Sequence, residues 1–215
     1  MDIAILLFDG LTALDAVGPY EVLSRLPGAA VTFVGVDTGS VRTDNGRLAL
    51  TADATLLDLD HPEILVVPGG HGQTALMDDP AILSWLRGAH TTSMWTTSVC
   101  TGSLLLGAAG ILAGKRATSH WLALDELSTF GATPVTERVV FDGKVITAAG
   151  VSAGIDMALT LSAEVAGAEV AQIIQLGIEY DPRPPFDAGS PGQAPAAVTE
   201  YLRSHSRFVL SGEHR

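Results

Sequence analysis

Cys100 is the only cysteine among 215 residues, and it stands in "TTSVCTGSLLLG", where an apolar run gives way to a small, glycine-bearing turn. Ser-Val-Cys-Thr-Gly is a near relative of the G-x-S-x-G turn that lifts a nucleophilic serine above a sheet, with sulfur in the place of oxygen. Small neighbours permit the sharp turn from strand to helix. The unpaired N–H groups of a helix start then stabilise a thiolate. The pattern predicts a nucleophile elbow with a lowered thiol pKa. Free cysteine is also among the most buried residue types, so locally a packed filler and a nucleophile both stand open.

Two other stretches carry groups that could work with it. In "VVPGGHG", Gly69 and Gly70 let the backbone approach a ligand closely, and the N–H groups of Gly70 and Thr101 could form an oxyanion hole. An ordinary tight turn is the plainer alternative. His71 lies in the same loop and could face the site. Asp15 is an acid set among Leu11, Leu14 and Val17. A partly buried carboxyl holds its proton more firmly, which suits a general acid or a group sharing a proton with a thiol. It could equally be a turn former ahead of Gly18-Pro19. His120 reads as a structural hydrogen-bonding residue, and His61, His90, His205 and His214 as solvated. No H-x-x-x-H spacing or ligand cluster occurs, so no metal is expected. No P-loop or G-x-G-x-x-G opens a helix, so no nucleotide cofactor is expected either.

Positioning these groups falls to alternating elements. "DIAILLF", "AAVTFVGVD", "EILVV" and "TTSMWTTSV" read as strands, the first and third as buried runs of the kind found in parallel sheets. "LTALDAVGPYEVLSRL" has helical spacing that Gly18-Pro19 should break or kink. "DPAILSWLRGAH" reads as a helix capped by Asp79 with Pro80 at its first position. Further helices are expected over "TGSLLLGAAGIL", "KRATSHWLALDELSTFGA", "VSAGIDMALTLSAEVAG", "AEVAQIIQLGIEY" and "AAVTEYLRSHSRFVL". Hairpins are expected around Asn45-Gly46 and Asp142-Gly143. "DPRPPFDAGSPGQAP" should be irregular. The alternation predicts an α/β fold, a mostly parallel central sheet with helices on both faces, and sites at the carboxyl ends of its strands.

Composition bounds the rest. With 47% hydrophobic residues and a mean hydropathy of +0.33, the chain suits one folded domain, 1–215. A net charge of −12 repels phosphate backbones, so nucleic acid is a poor partner. A single cysteine makes no internal disulfide, consistent with a reducing cytoplasm. "MDIAILLFDG" lacks a basic flank, and no run reaches the roughly 18 apolar residues of a membrane span, so neither a signal peptide nor a membrane partner is expected.

Taken in order, "LDAVGPYEVL", "VVPGGHG", "TSVCTGSLLLGAAGILAGKRATSHW", "GVSAGIDMALTLSAEVAG" and "EYDPRPPFDAGSP" resemble the PfpI-like branch of the class I glutamine-amidotransferase-like superfamily. The resemblance runs from Asp2 to about Pro195. It implies a flavodoxin-like three-layer sandwich and a homodimer. Within the branch the motifs resemble members that hydrate isocyanides to N-substituted formamides, a lyase reaction needing no cofactor. It further implies that Cys100 is the nucleophile, Asp15 the acid beside it and Thr101 the residue that follows it. Gly70, and His71 if it faces the site, would then meet a small-molecule substrate, the glycine loop varying too much in the branch to assign His71 a role; Val151 would form part of an apolar wall for the substituent, with ordinary core packing as its plainer reading. Proteases of the branch carry His where this chain has Thr101, which argues against proteolysis. Ligand-sensing domains of AraC-like regulators share several of these segments, but their DNA-binding module has little room after "PPFDAGSP". A stand-alone sensor or a cysteine-based stress sensor is the alternative to an enzyme. Deglycation or glyoxalase activity is weaker, for want of the glutamate and histidine such relatives place near the thiol.

Overall fold

The computed structural model describes residues 1–205. Its elements run β1 (Asp2–Leu6), α1 (Ala13–Leu23), β2 (Ala30–Gly35), β3 (Gly39–Arg42), β4 (Ala49–Ala52), β5 (Ala54–Thr55), β6 (Ile64–Val67), α2 (Gln73–Leu76), α3 (Pro80–Thr92), β7 (Trp95–Val99) and α4 (Gly102–Ala108). There follow β8 (Arg116–Ala117), a 3₁₀ helix (Asp125–Phe130), β9 (Thr133–Pro134), β10 (Val139–Asp142), β11 (Val145–Ala148), α5 (Ala153–Ala166), α6 (Ala168–Gly177) and α7 (Ala196–Ser204).

Seven strands form the central sheet in the order β10-β11-β7-β6-β1-β2-β5. Only β10 with β11 is antiparallel. Every residue of β6 and β11 is buried, as a strand covered on both faces requires. One helical group joins α1, α5 and α6, and another joins α2, α3 and α4. The result is the expected three-layer α/β sandwich. The chain leaves β1 for β2 on one side and later adds β6 and β7 on the other, so a crevice opens at the carboxyl ends of β1, β6 and β7.

Both expected hairpins form, β3–β4 and β10–β11, with Gly46 and Gly143 at positive φ. Asp79 caps α3 by accepting from the N–H groups of Ala81 and Ile82, with Pro80 at the first position.

Three expectations are corrected. α1 runs unbroken through Pro19. Gly18 and Pro19 are where α1 meets α5: a Cβ on Gly18 would come 3.1 Å from Ile155, and one on Gly154 3.3 Å from Pro19. Close packing there outweighs the hydrogen bond that proline removes. "KRATSHWLALDELSTFGA" is not one helix but β8, a loop and the 3₁₀ turn. Its backbone and hydroxyls are claimed elsewhere: Thr118 N–H donates to Thr147 Oγ1 at 2.8 Å and Ser119 Oγ to the Cys100 carbonyl at 3.1 Å. α4 stops at Ala108, short of "GIL", with Gly110 at φ 78° just beyond. The last expected helix is present as α7, and its remainder from residue 206 lies outside the described residues, as does His214. Among the described residues no helix is long and apolar enough to cross a membrane.

Candidate active site

Cys100 ends β7 at φ 58°, a left-handed conformation that side chains other than glycine rarely adopt. Its main chain is gripped from three sides. The N–H is shared between the carbonyls of Ala148 and Ala149, both at 3.1 Å. The carbonyl accepts from Ser103 Oγ and Ser119 Oγ, both at 3.1 Å. Strained backbone of this kind persists only where its surroundings over-determine it. Val151, at φ 32°, is a second such residue, and its N–H and that of Thr101 both bear on the Cys100 sulfur.

α1 brings Asp15 to the same point. Its Oδ2 accepts from Gly69 N–H at 3.0 Å, and its carboxyl interacts with the Cys100 thiol. Oδ1 meets hydrogen-bond geometry with no group. Asp15 and Cys100 are both 0% exposed. Burial pushes the Asp15 carboxyl up to about 7, against the lowering effects of the Gly69 N–H and the thiol. Burial also pushes the Cys100 thiol up, and the charge of Asp15 adds to it, while the Val151 and Thr101 N–H groups pull the other way. The lowered thiol pKa expected from the helix start is thus reversed: loss of water outweighs two N–H dipoles. At neutral pH the pair rests as a thiol beside a half-ionised carboxyl.

Thr101 ties this turn to the glycine loop. Its hydroxyl donates to Gln73 Oε1 at 2.8 Å and accepts from Gly70 N–H at 3.0 Å. The Gly70 N–H was expected to face a substrate, but it is taken by Thr101. The two loops interlock because neither has side chains at the crossing. A Cβ on Gly69 would lie 2.5 Å from Thr101 N, and one on Gly102 2.1 Å from Val67 O.

His71 is exposed, and its ring lies by Gly10. The structure does not bring it to Cys100. Val151 is half-buried and packs against the core. It contacts the sulfur through its backbone N–H, rather than only as the apolar wall that was expected. His120 accepts from Leu122 N–H through Nδ1 at 3.3 Å, and its ring covers Gly150, where a Cβ would come 2.7 Å from Cδ2. Burial lowers it to about 4, so its ring is neutral near pH 7. Gln73 and Ser119, which complete the hydrogen bonds around Cys100 and Thr101, were missed. Ser119 lies near the end of the stretch "TSVCTGSLLLGAAGILAGKRATSHW" and Gln73 directly follows "VVPGGHG", but neither type is reactive, and only their place beside those stretches could have flagged them.

Beyond Ser119 and Gly150 lies a cavity of about 220 Å³, walled by Trp121, Leu124 and Arg138 and bordered by Gly189 of the irregular segment. Among the described residues no group of three or more His, Cys, Asp or Glu is placed to hold a metal ion.

Residues 1–164 match the model of the DJ-1/PfpI family. The chain is 47% identical to an isonitrile hydratase of Pseudomonas putida over 96% of this chain and 90% of that protein. It is 32% identical to the HTH-type transcriptional regulator CdhR of Pseudomonas aeruginosa, over 76% of this chain and 49% of the regulator. A solved THiJ/PfpI family protein from Pseudomonas syringae superposes with a TM-score of 0.92 at 41% identity, covering 95% of this chain and 85% of that one.

Proposed function

The chain belongs to the DJ-1/PfpI family, and on that footing we propose that it hydrates isocyanides to N-substituted formamides, with Cys100 as nucleophile and Asp15 as its proton partner. The observation that carries the reading is the buried Asp15–Cys100 pair, with the Val151 and Thr101 N–H groups directed at the sulfur. Likeness to the Pseudomonas putida isonitrile hydratase over nearly the whole chain supports it.

The chemistry follows from the proton inventory. A terminal isocyanide carbon accepts a nucleophile and a proton at the same atom. The thiol supplies the sulfur, and Asp15 in its carboxylate form takes the S–H proton as the S–C bond forms. The same proton passes to the former isocyanide carbon, giving a thioimidate, R–N=CH–S–Cys100. Asp15, again a carboxylate, deprotonates a water that adds to that carbon, and the nitrogen gains the proton. Collapse expels the thiol and leaves R–NH–CHO. The sum is one isocyanide and one water giving one formamide, and no oxidant, metal or nucleotide enters the balance. The Thr101 and Val151 N–H groups serve the sulfur as it gains and loses charge. Thr101's hydroxyl fixes the geometry of the turn.

The whole chain acts as one cytoplasmic domain, and a second copy completes it. Ile173 and Leu176 lie three apart on α6 and are 64% and 79% exposed, an apolar face suited to a homodimer. The test of function is turnover: purified protein with an alkyl isocyanide in ¹⁸O-water should yield the formamide carrying one ¹⁸O, and Cys100→Ala should yield none. Equal inertness of wild type and Cys100→Ala across several isocyanides sinks the reading. Likeness to part of a transcriptional regulator leaves room for a second reading, binding without turnover; saturable binding of an isocyanide with no formamide would favour it.

A further inference from the structure

Resting on the hydratase reading, we infer that the isocyanide's substituent occupies the cavity beyond Ser119 and Gly150, and that this cavity selects uncharged single-ring or branched groups. Its inner wall is the outer face of the residues that hold Cys100. Ser119 binds the Cys100 carbonyl, Gly150 precedes the Val151 N–H that faces the sulfur, and Ala149 accepts the Cys100 N–H. The cavity therefore begins where the reacting atom's support ends. Cys100 is 0% exposed and does not itself line the cavity, so the head must pass Ser119 and Gly150 to reach the sulfur; an isocyanide is linear through its two reacting atoms, and only that slim head has to pass while its substituent stays in the wider space.

Size and polarity set what that space takes. Its volume of about 220 Å³ exceeds the ~150 Å³ that holds benzene and suits one six-membered ring or a branched alkyl group. Trp121 and Leu124 supply apolar wall. Arg138 is the one charged residue among the described lining residues, and it is already paired with Asp156 and bonded to Ser152. With its charge met, it offers little to an anionic substituent. Gly189 forms part of the outer border, and a Cβ there meets nothing within 4 Å. A side chain at this border position therefore meets no obstacle at its Cβ, which makes Gly189 the place to narrow the cavity.

The experiment compares wild type, Gly189→Phe and Trp121→Ala in two readouts. One is kcat/KM for methyl and cyclohexyl isocyanide. The other needs no turnover: the rate at which N-methyl and N-cyclohexyl iodoacetamide alkylate Cys100, read by intact mass, since the chain has one thiol. One extra methylene in an apolar pocket is worth about 10-fold or more. Wild type should favour the cyclohexyl member by about that factor in both readouts. Gly189→Phe should bring both ratios within about twofold of unity, and its circular dichroism and urea midpoint should match wild type, which an unfolded chain would not do. Trp121→Ala, which removes apolar wall, should lower the cyclohexyl preference in both readouts. Ratios that no substitution moves overturn the cavity assignment, and hydration that persists alongside them leaves the hydratase reading standing. Labelling ratios that shift as expected while no isocyanide is hydrated uphold the cavity and sink the hydratase reading instead.

Discussion

The Asp15 carboxyl and the Cys100 thiol meet inside the protein with no exposure to solvent; burial raises both, the charge of Asp15 raises the thiol further, and the thiol's hydrogen bond holds the carboxyl's rise in check. The carboxyl titrates near 7 and the thiol well above its ordinary range, so the pair gives up its first proton near neutrality and keeps its second.

Activity should therefore have a single acidic limb. The reactive pair holds one proton, and below about pH 7 a second proton on Asp15 removes the base. kcat/KM for an isocyanide is expected to rise tenfold per pH unit below ~7 and level above it. Asp15→Asn should lose the limb along with most of the rate. A wild-type profile flat from pH 5 to 8 would contradict this role for Asp15.

Stability carries the opposite sign. The folded protein holds the Asp15 proton up to about pH 7, whereas the unfolded chain releases it near 3.8. Between these values the folded state binds more protons, so the contribution of Asp15 to stability is full below 3.8 and is lost as pH rises through 7. A shift of this size corresponds to ~4 kcal/mol. Urea unfolding at pH 4.5 and pH 8 should show Asp15→Asn gaining on wild type by an amount of that order at the higher pH.

Thr101→Val should cost more than a lost hydroxyl. The Gly70 N–H and Gln73 Oε1 would both lose their partner in a buried place. Each orphan costs about 1–3 kcal/mol. Denaturant unfolding should register the loss, and Thr101→Ser should recover most of it. Turnover should follow the same order, since the Thr101 N–H faces the sulfur.

Gly102→Ala tests the interlock of the two loops. The new methyl carbon would lie 2.1 Å from a backbone oxygen that cannot swing aside. A loss of about 3 kcal/mol or more is expected. The control is Gly88→Ala on the solvated side of α3, where the Cβ meets nothing and helix propensity should make the change neutral or better.

Much of the frame was legible because it rests on local signals. Buried strands are continuous apolar runs, hairpins carry Asn-Gly or Asp-Gly, and Asp79-Pro80 marks a helix start. Cys100 and Asp15 stood out because each is a reactive side chain in apolar surroundings. The failures share one cause. "KRATSHWLALDELSTFGA" has helical composition, but Thr118 and Ser119 are drawn out of a helix by Thr147 and Cys100. Pro19 would end an isolated helix and does not end α1, because α5 packs on it.

The order of strands, the glycine loop, the lone thiol and its acid are properties of the linear chain. They fix which groups are available and near which strand ends they emerge. The protonation state of the pair, the engagement of the Gly70 N–H by Thr101 and the direction of the Val151 N–H belong to the tertiary structure. They depend on how much water is excluded and on which donors arrive from distant segments. A helix start by itself argues for a thiolate; complete burial beside a carboxyl argues more strongly for a thiol, because desolvation acts on the whole charge and the N–H dipoles on only part of it.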